Sequence, residues 1–143
     1  ANKRTDRYGA DRTLFAREVV ERINDCCGKS FPIIFRLNAN EFIEGDITIE
    51  DAKKVARVLE EACIDAFDAT GGNYVTVDYL LMPCYYSAEE GWFSKLAKEI
   101  KSIVSVPVTS GGLIVSPEVA EKAIAEGLVD AVFIDRQLIA DPE

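Results

Sequence analysis

Histidine is missing altogether from this 143-residue chain, which excludes His-based triads and His-rich metal sites within it. Long apolar runs are missing too. The longest are far shorter than a membrane span, and the basic start ANKRTDRYGADR has no hydrophobic signal core behind it, so a cytoplasmic location is the expectation. Positive charge is scarce: 16 Lys and Arg face 25 Asp and Glu, a net charge of -9. Nucleic acid and anionic membrane are therefore poor partners, and small-molecule chemistry is the better fit. Metal-knuckle and CxxC spacings are absent, because Cys26 and Cys27 are adjacent while Cys63 and Cys84 stand alone. All four are expected to be buried thiols in a reducing compartment. The acidic stretch Glu41, Glu44 and Asp46 reads as a solvated loop, and no metal site is expected.

A hydrophobic content of 48% with 29% charge is enough for a real core, and no linker or low-complexity segment divides the chain, so residues 1–143 read as a single unit. Phe15, Val19, Ile23 and Cys27 recur at helical spacing between residues 10 and 27, and Gly28 stands where that helix stops. Pro32 to Leu37 is a short apolar run with one charge, Arg36, and reads as a buried strand. Thr48 with Asp51 forms a capping-box pattern ahead of Ala52, Val55, Ala56 and Leu59. The grammar then repeats. Ala66 to Thr70 is a strand, and Ser87 with Glu90 opens a helix facing inward through Phe93, Leu96, Ala97 and Ile100. Val104 to Ser110 is a strand closed by Gly111-Gly112; Ser116-Pro117-Glu118 opens a helix running to Gly127; Ala131 to Ile134 is the last strand.

Strands alternating with helices of this length are parallel βα units, arranged as an open doubly wound sheet or a closed barrel. A barrel needs eight strands, about four are visible, and the chain starts on a loop and helix. Both facts lead to the expectation that an N-terminal piece is missing. Barrel chemistry gathers at the C-terminal strand ends, with phosphate often held after the last two strands. Gly111-Gly112 and Asp135-Arg136 occupy those ends, where small residues admit backbone N–H groups and an arginine adds a charged donor. A glycine pair alone would be an ordinary turn; two such loops in succession favour a phosphate site. Arg36 must either point into a polar pocket or pair within the sheet, with Asp68 as the candidate partner. Tyr74, Tyr79, Tyr85, Tyr86 and Trp92, in or beside the longer loop at residues 71–87, fit a substrate pocket or rim packing equally well.

Four segments carry a family resemblance. Asn2-Lys3-Arg4-Thr5-Asp6-Arg7-Tyr8-Gly9 is similar to the NKRTDxYGG segment of Old Yellow Enzyme-like NADH:flavin oxidoreductases, including their 2,4-dienoyl-CoA reductase branch. Phe31 to Asn38 resembles the family's FPVxxRLS strand, Ile100 to Val108 its IKxxVxIPV stretch, and Asp130 to Pro142 its DxVxxGRxLIADP stretch. The resemblance spans nearly the whole chain, in order. It implies α/β architecture: strands five to eight, the C-terminal half, of an FMN-binding TIM (β/α)8 barrel. It further implies that Arg36 reaches the pyrimidine side of the flavin, where positive charge stabilises the reduced anion, and that Gly111, Gly112 and Arg136 cradle its phosphate.

The implied chemistry is ene-reduction, in which NADH or NADPH reduces FMN and hydride then passes to the β-carbon of an activated alkene. The His or His and Asn residues that clamp the substrate in such enzymes lie in the family's first four strands, so no catalytic residue is assigned here. Two departures stand out. The loop after Tyr8-Gly9 is shortened to Ala10-Asp11-Arg12, and Asp135 replaces the glycine of the family's GR pair, where a carboxylate would repel and crowd a phosphate. The implied partners are the alkene and either the missing N-terminal half-barrel or a second copy of the chain. The alternative readings are a non-catalytic half-barrel that self-associates through its open edges, and a barrel for another phosphorylated small molecule.

Overall fold

A computed structural model describes residues 3–73 and 89–142 of the chain. Among these, strands β1 (Ile34–Asn38), β2 (Ala66–Thr70), β3 (Val108–Ser110) and β4 (Ala131–Val132) pair in parallel and in sequence order. The helices are α1 (Arg7–Ala10), α2 (Leu14–Cys27), α3 (Ile49–Glu61), α4 (Phe93–Lys101), α5 (Pro117–Ala125) and α6 (Arg136–Ala140). Right-handed crossovers between strands laid down in one direction put every connecting helix on the same side. A doubly wound sheet reverses direction and is covered on both faces; this one is not, and the arrangement is that of a barrel segment.

The register fixes which side chains share a face. Arg36, Asp68, Thr109 and Ala131 form one rung across the sheet, and Leu37, Ala69, Ser110 and Val132 form the next. The second rung lies under the helices together with Phe67 and Val108, and Leu59 of α3 and Ile100 of α4 close over them without solvent exposure. Burying each of these larger side chains stabilises the fold by roughly 1.5–3 kcal/mol. The first rung lies on the face without helices, where Ile34 is 66% exposed.

Local chemistry sets the element ends. Thr48 and Asp51 make the reciprocal capping box expected from their spacing. Proline trims two strands from their expected starts, because it has no N–H to donate to a ladder. Pairing begins after Pro32, where the Ile33 N–H donates to the Asp65 carboxylate, and after Pro107, whose carbonyl accepts from Phe67. The last strand is likewise shorter than expected, ending at Val132 instead of Ile134. The helix expected across residues 10–27 is broken at the tight Asp11-Arg12-Thr13 turn, where Asp11 accepts from the backbone and hydroxyl of Thr13.

Three other expectations are corrected. In α2 the buried residue is Val20, which packs with Ala16 and Ile23, whereas Phe15 and Val19 are 65% and 41% exposed. Helix α2 packs on α3 through the Val20 flank and meets α1 on another, where the Tyr8 ring stands edge-on to Phe15 at 6.0 Å between ring centres. Cys26, Cys27 and Cys63 are exposed rather than buried, because they sit at or just past the C-terminal ends of α2 and α3, where the chain turns away from the core. Glu90 does not cap the helix that follows it but bonds to the loop after β3. Ser87, Cys84 and the tyrosines at 74, 79, 85 and 86 lie outside the described residues.

Candidate functional site

The C-terminal ends of β1, β3 and β4 converge on a cavity of about 310 Å³ lined by Arg36, Gly112, Asp135 and Arg136, four of the five residues singled out from the sequence. Gly111 is buried beside it, against the Phe133 ring. Both glycines make room for an aromatic ring. A Cβ on Gly111 would lie 2.4 Å from Phe133, and one on Gly112, whose φ is +87°, would lie 2.2 Å from Phe93. Among the described residues, the N–H groups of Gly112, Leu113 and Ile114 donate to no backbone group.

Arg36 fulfils both readings that its position allowed. Its Nε lies 3.6 Å from Asp68 Oδ2, its guanidinium stands 5.8 Å from the Phe133 ring centre, and its side chain remains 65% exposed towards the cavity. Such an exposed pair adds little stability, about 0–1 kcal/mol. Burial pushes the Asp68 carboxyl above its usual range, against the opposing pull of Arg36. Asp68 Oδ1 and Asn38 Oδ1 are buried on this face without partners among the described residues. Unsatisfied acceptors of this kind are costly and call for a donor.

Asp135 lines the cavity and also caps the helix that follows it. Its carboxylate accepts from the Arg136 N–H as the cap of α6, 4.0 Å from the Arg136 Nε. The cavity is lined by two guanidinium groups, Arg36 and Arg136, and by one carboxylate, Asp135, which accepts from the Arg136 N–H; the two cations outnumber the acid, a balance that fits a phosphate. Phe93, Leu113 to Val115, Phe133, Ile134 and Gln137 complete the lining and were not anticipated. For Phe133 the missing signal was the early end of β4, which frees its ring to turn over the cavity mouth. Trp92 packs on Phe42 and Phe93, with ring centres 5.2 and 5.5 Å away, so rim packing is its observed role. Glu41 ties its own loop, pairing its backbone with Ile47. Among the described residues no cluster of His, Cys, Asp and Glu is arranged to hold a metal ion, and no helix is long and apolar enough to cross a membrane.

Comparison with known proteins identifies the family. A family model described as NADH:flavin oxidoreductase / NADH oxidase matches residues 1–143. An NADH oxidase from Thermoanaerobacter brockii is 44% identical across 99% of this chain and 22% of its own length. A metal reductase from Desulforamulus reducens is 37% identical across 99% of the chain and 21% of its own length. Among solved structures, 2-naphthoyl-CoA reductase in complex with 2-naphthoyl-CoA superimposes with a TM-score of 0.87 at 32% identity, over 99% of this chain and 22% of that one. The chain therefore spans about a fifth of the length of these relatives, and its four parallel βα units have the arrangement of part of a TIM barrel. Sequence and fold together place the chain in the NADH:flavin oxidoreductase / NADH oxidase family.

Proposed function

We propose that residues 1–143 are the phosphate-holding, C-terminal half of an FMN-dependent NAD(P)H oxidoreductase barrel of the ene-reductase type, inactive without the N-terminal strands. The observation that carries this reading is the convergence of Arg36, Gly112, Asp135 and Arg136 on one cavity at the C-terminal strand ends. Gly112 and its neighbours would offer amide donors to the phosphate and Arg136 a charged one, each strongest towards a dianion. Arg36 would present positive charge to the isoalloxazine ring, with Asp68 fixing the direction of its guanidinium. A bound flavin would supply the two-electron chemistry, taking hydride from NAD(P)H and returning it to an activated alkene. The alkene is supported by the names of two relatives, the 2-naphthoyl-CoA reductase and a cinnamate reductase from Clostridium sporogenes that is 30% identical over 99% of this chain.

The test is an absorbance and fluorescence titration of the chain with FMN, with riboflavin as the phosphate-free control. Binding of FMN at least about tenfold tighter than riboflavin is expected, the margin that one charged hydrogen bond supplies. Equal affinities would refute the phosphate site. A self-associating half-barrel is the second reading, favoured by the exposed Phe15, Ile34 and Ile139. Light scattering that shows only monomer across a wide concentration range would remove it.

A further inference from the structure

The loop that lines the cavity does not hold itself in place. Its far end, Val115-Ser116, precedes α5, and the first amides of a helix normally seek a cap or an anion. Ser116 stands at the cap position, yet its side chain makes no capping bond within its own helix. Glu90, from the segment leading into α4, binds the two amides just ahead of that helix instead. Its Oε1 accepts from the N–H of Val115 at 2.7 Å and of Ser116 at 2.6 Å, and its Oε2 accepts from the Ser116 hydroxyl at 3.1 Å. The Gly91 N–H donates to the Leu113 carbonyl at 3.1 Å, and Phe93 packs against Gly112. A segment far away in sequence therefore grips the cavity loop at Leu113, Val115 and Ser116. The bonds to Ser116 and Val115 hold the Glu90 carboxyl below its ordinary range, so it is a carboxylate in use.

We infer that Glu90 is a positioning residue for the phosphate-binding loop: it occupies the amides before α5, keeps a phosphate from settling there, and so confines the ligand to the side of the loop bearing Gly112 and Arg136. The inference rests on the phosphate-site reading above. It assigns Glu90 no contact with the ligand. A carboxylate bridging three donors fixes the loop's backbone more tightly than its own side chains could, and its charge makes the same place repel a second anion.

The test uses Glu90→Ala, Glu90→Asp and Glu90→Gln in the purified chain, with two readouts: amide hydrogen exchange at Val115 and Ser116, and titration with FMN and riboflavin. Alanine removes the carboxylate, and aspartate withdraws it by one methylene while keeping its charge. Both are expected to speed exchange of the two amides and weaken FMN by about tenfold or more, with riboflavin changed less than about twofold. Glutamine retains an acceptor for both amides and is expected to restore both readouts to within about threefold of the wild type. If Glu90→Ala does not fold, the aspartate and glutamine variants make the same comparison. Wild-type exchange and FMN affinity in Glu90→Asp would overturn the inference, as would a glutamine variant no better than alanine or aspartate. Should the wild-type chain not distinguish FMN from riboflavin, the phosphate site itself fails; unchanged amide exchange in the aspartate variant would separately show that Glu90 does not hold the loop.

Discussion

Replacing Gly112 with alanine tests the packing of the cavity loop directly. The new methyl group would meet two obstacles of different origin. A φ of +87° is unfavourable for any residue with a Cβ, by about 1–2 kcal/mol. In addition the Cβ would stand 2.2 Å from the Phe93 ring, which is itself backed by Trp92 at 5.5 Å between ring centres. Overpacking of this kind adds about 1–3 kcal/mol. Gly45 separates the two effects, because its φ is +82° and nothing lies within 4 Å of a Cβ built there. Gly45→Ala should therefore lose about 1–2 kcal/mol and Gly112→Ala about 2–5 kcal/mol, a large share of the roughly 5–15 kcal/mol typical of a domain. Urea unfolding followed by circular dichroism measures both, provided the slope against denaturant is unchanged. Losses equal within about 0.5 kcal/mol would show that Phe93 yields freely and would refute the steric argument.

Other expectations concern charge. Arg136→Ala should weaken FMN by about tenfold to a hundredfold and leave riboflavin unaffected, read in the same titration; parallel losses for both ligands would point to a general collapse of the cavity. Lys101 and the Val108 N–H hold the Asp130 carboxyl below its ordinary value of 3.8. A lowered value means stabilisation that is present above the unfolded value and lost as pH falls through the folded one, so the advantage of the wild type over Asp130→Asn should shrink on acidification. Asp68 has the opposite sign: burial raises it, so its favourable contribution exists at low pH and disappears as pH rises through the folded value. Stability of Asp68→Asn relative to wild type should improve with rising pH, and unfolding midpoints across about pH 3 to 7 would show whether the two variants diverge as stated.

The order of elements was legible because parallel βα units announce themselves through spacing: Thr48 with Asp51, the apolar run at Ala66, and Ser116-Pro117 each mark an end with a specific chemical reason. Arg36 was conspicuous as the single charge on its apolar run, and the glycine pair as a break after a strand. What stayed hidden depends on neighbours far away in the chain. The exposed flank of α2 carries Phe15 and Val19 at proper helical spacing, so periodicity alone cannot tell which flank is covered. Nor does any local pattern distinguish a Glu90 that caps its own helix from one that reaches Val115 and Ser116. The capping of α6 by Asp135 was hidden for a related reason: that helix is too short to show a period.

The rungs of the sheet make the length of the α3 to β2 connection matter by parity. Phe67 faces the helices and Asp68 the cavity side only because an odd or even number of residues separates them from α3. The connection is pinned at several points: Cys63 at a φ of +68°, the Ile64 N–H on the Leu59 carbonyl, and Asp65 bonded to Ile33 through both its N–H and its carboxylate. Inserting one residue there would carry Phe67 into the open and push Asp68 beneath the helices, exchanging the most buried aromatic for a charge. A deletion of one would do the same, whereas a change of two would restore the faces and shift only the height of Asp68 relative to Arg36. Tolerance to length change in this family segment should thus alternate between odd and even steps, a pattern that a substitution scan alone could never reveal.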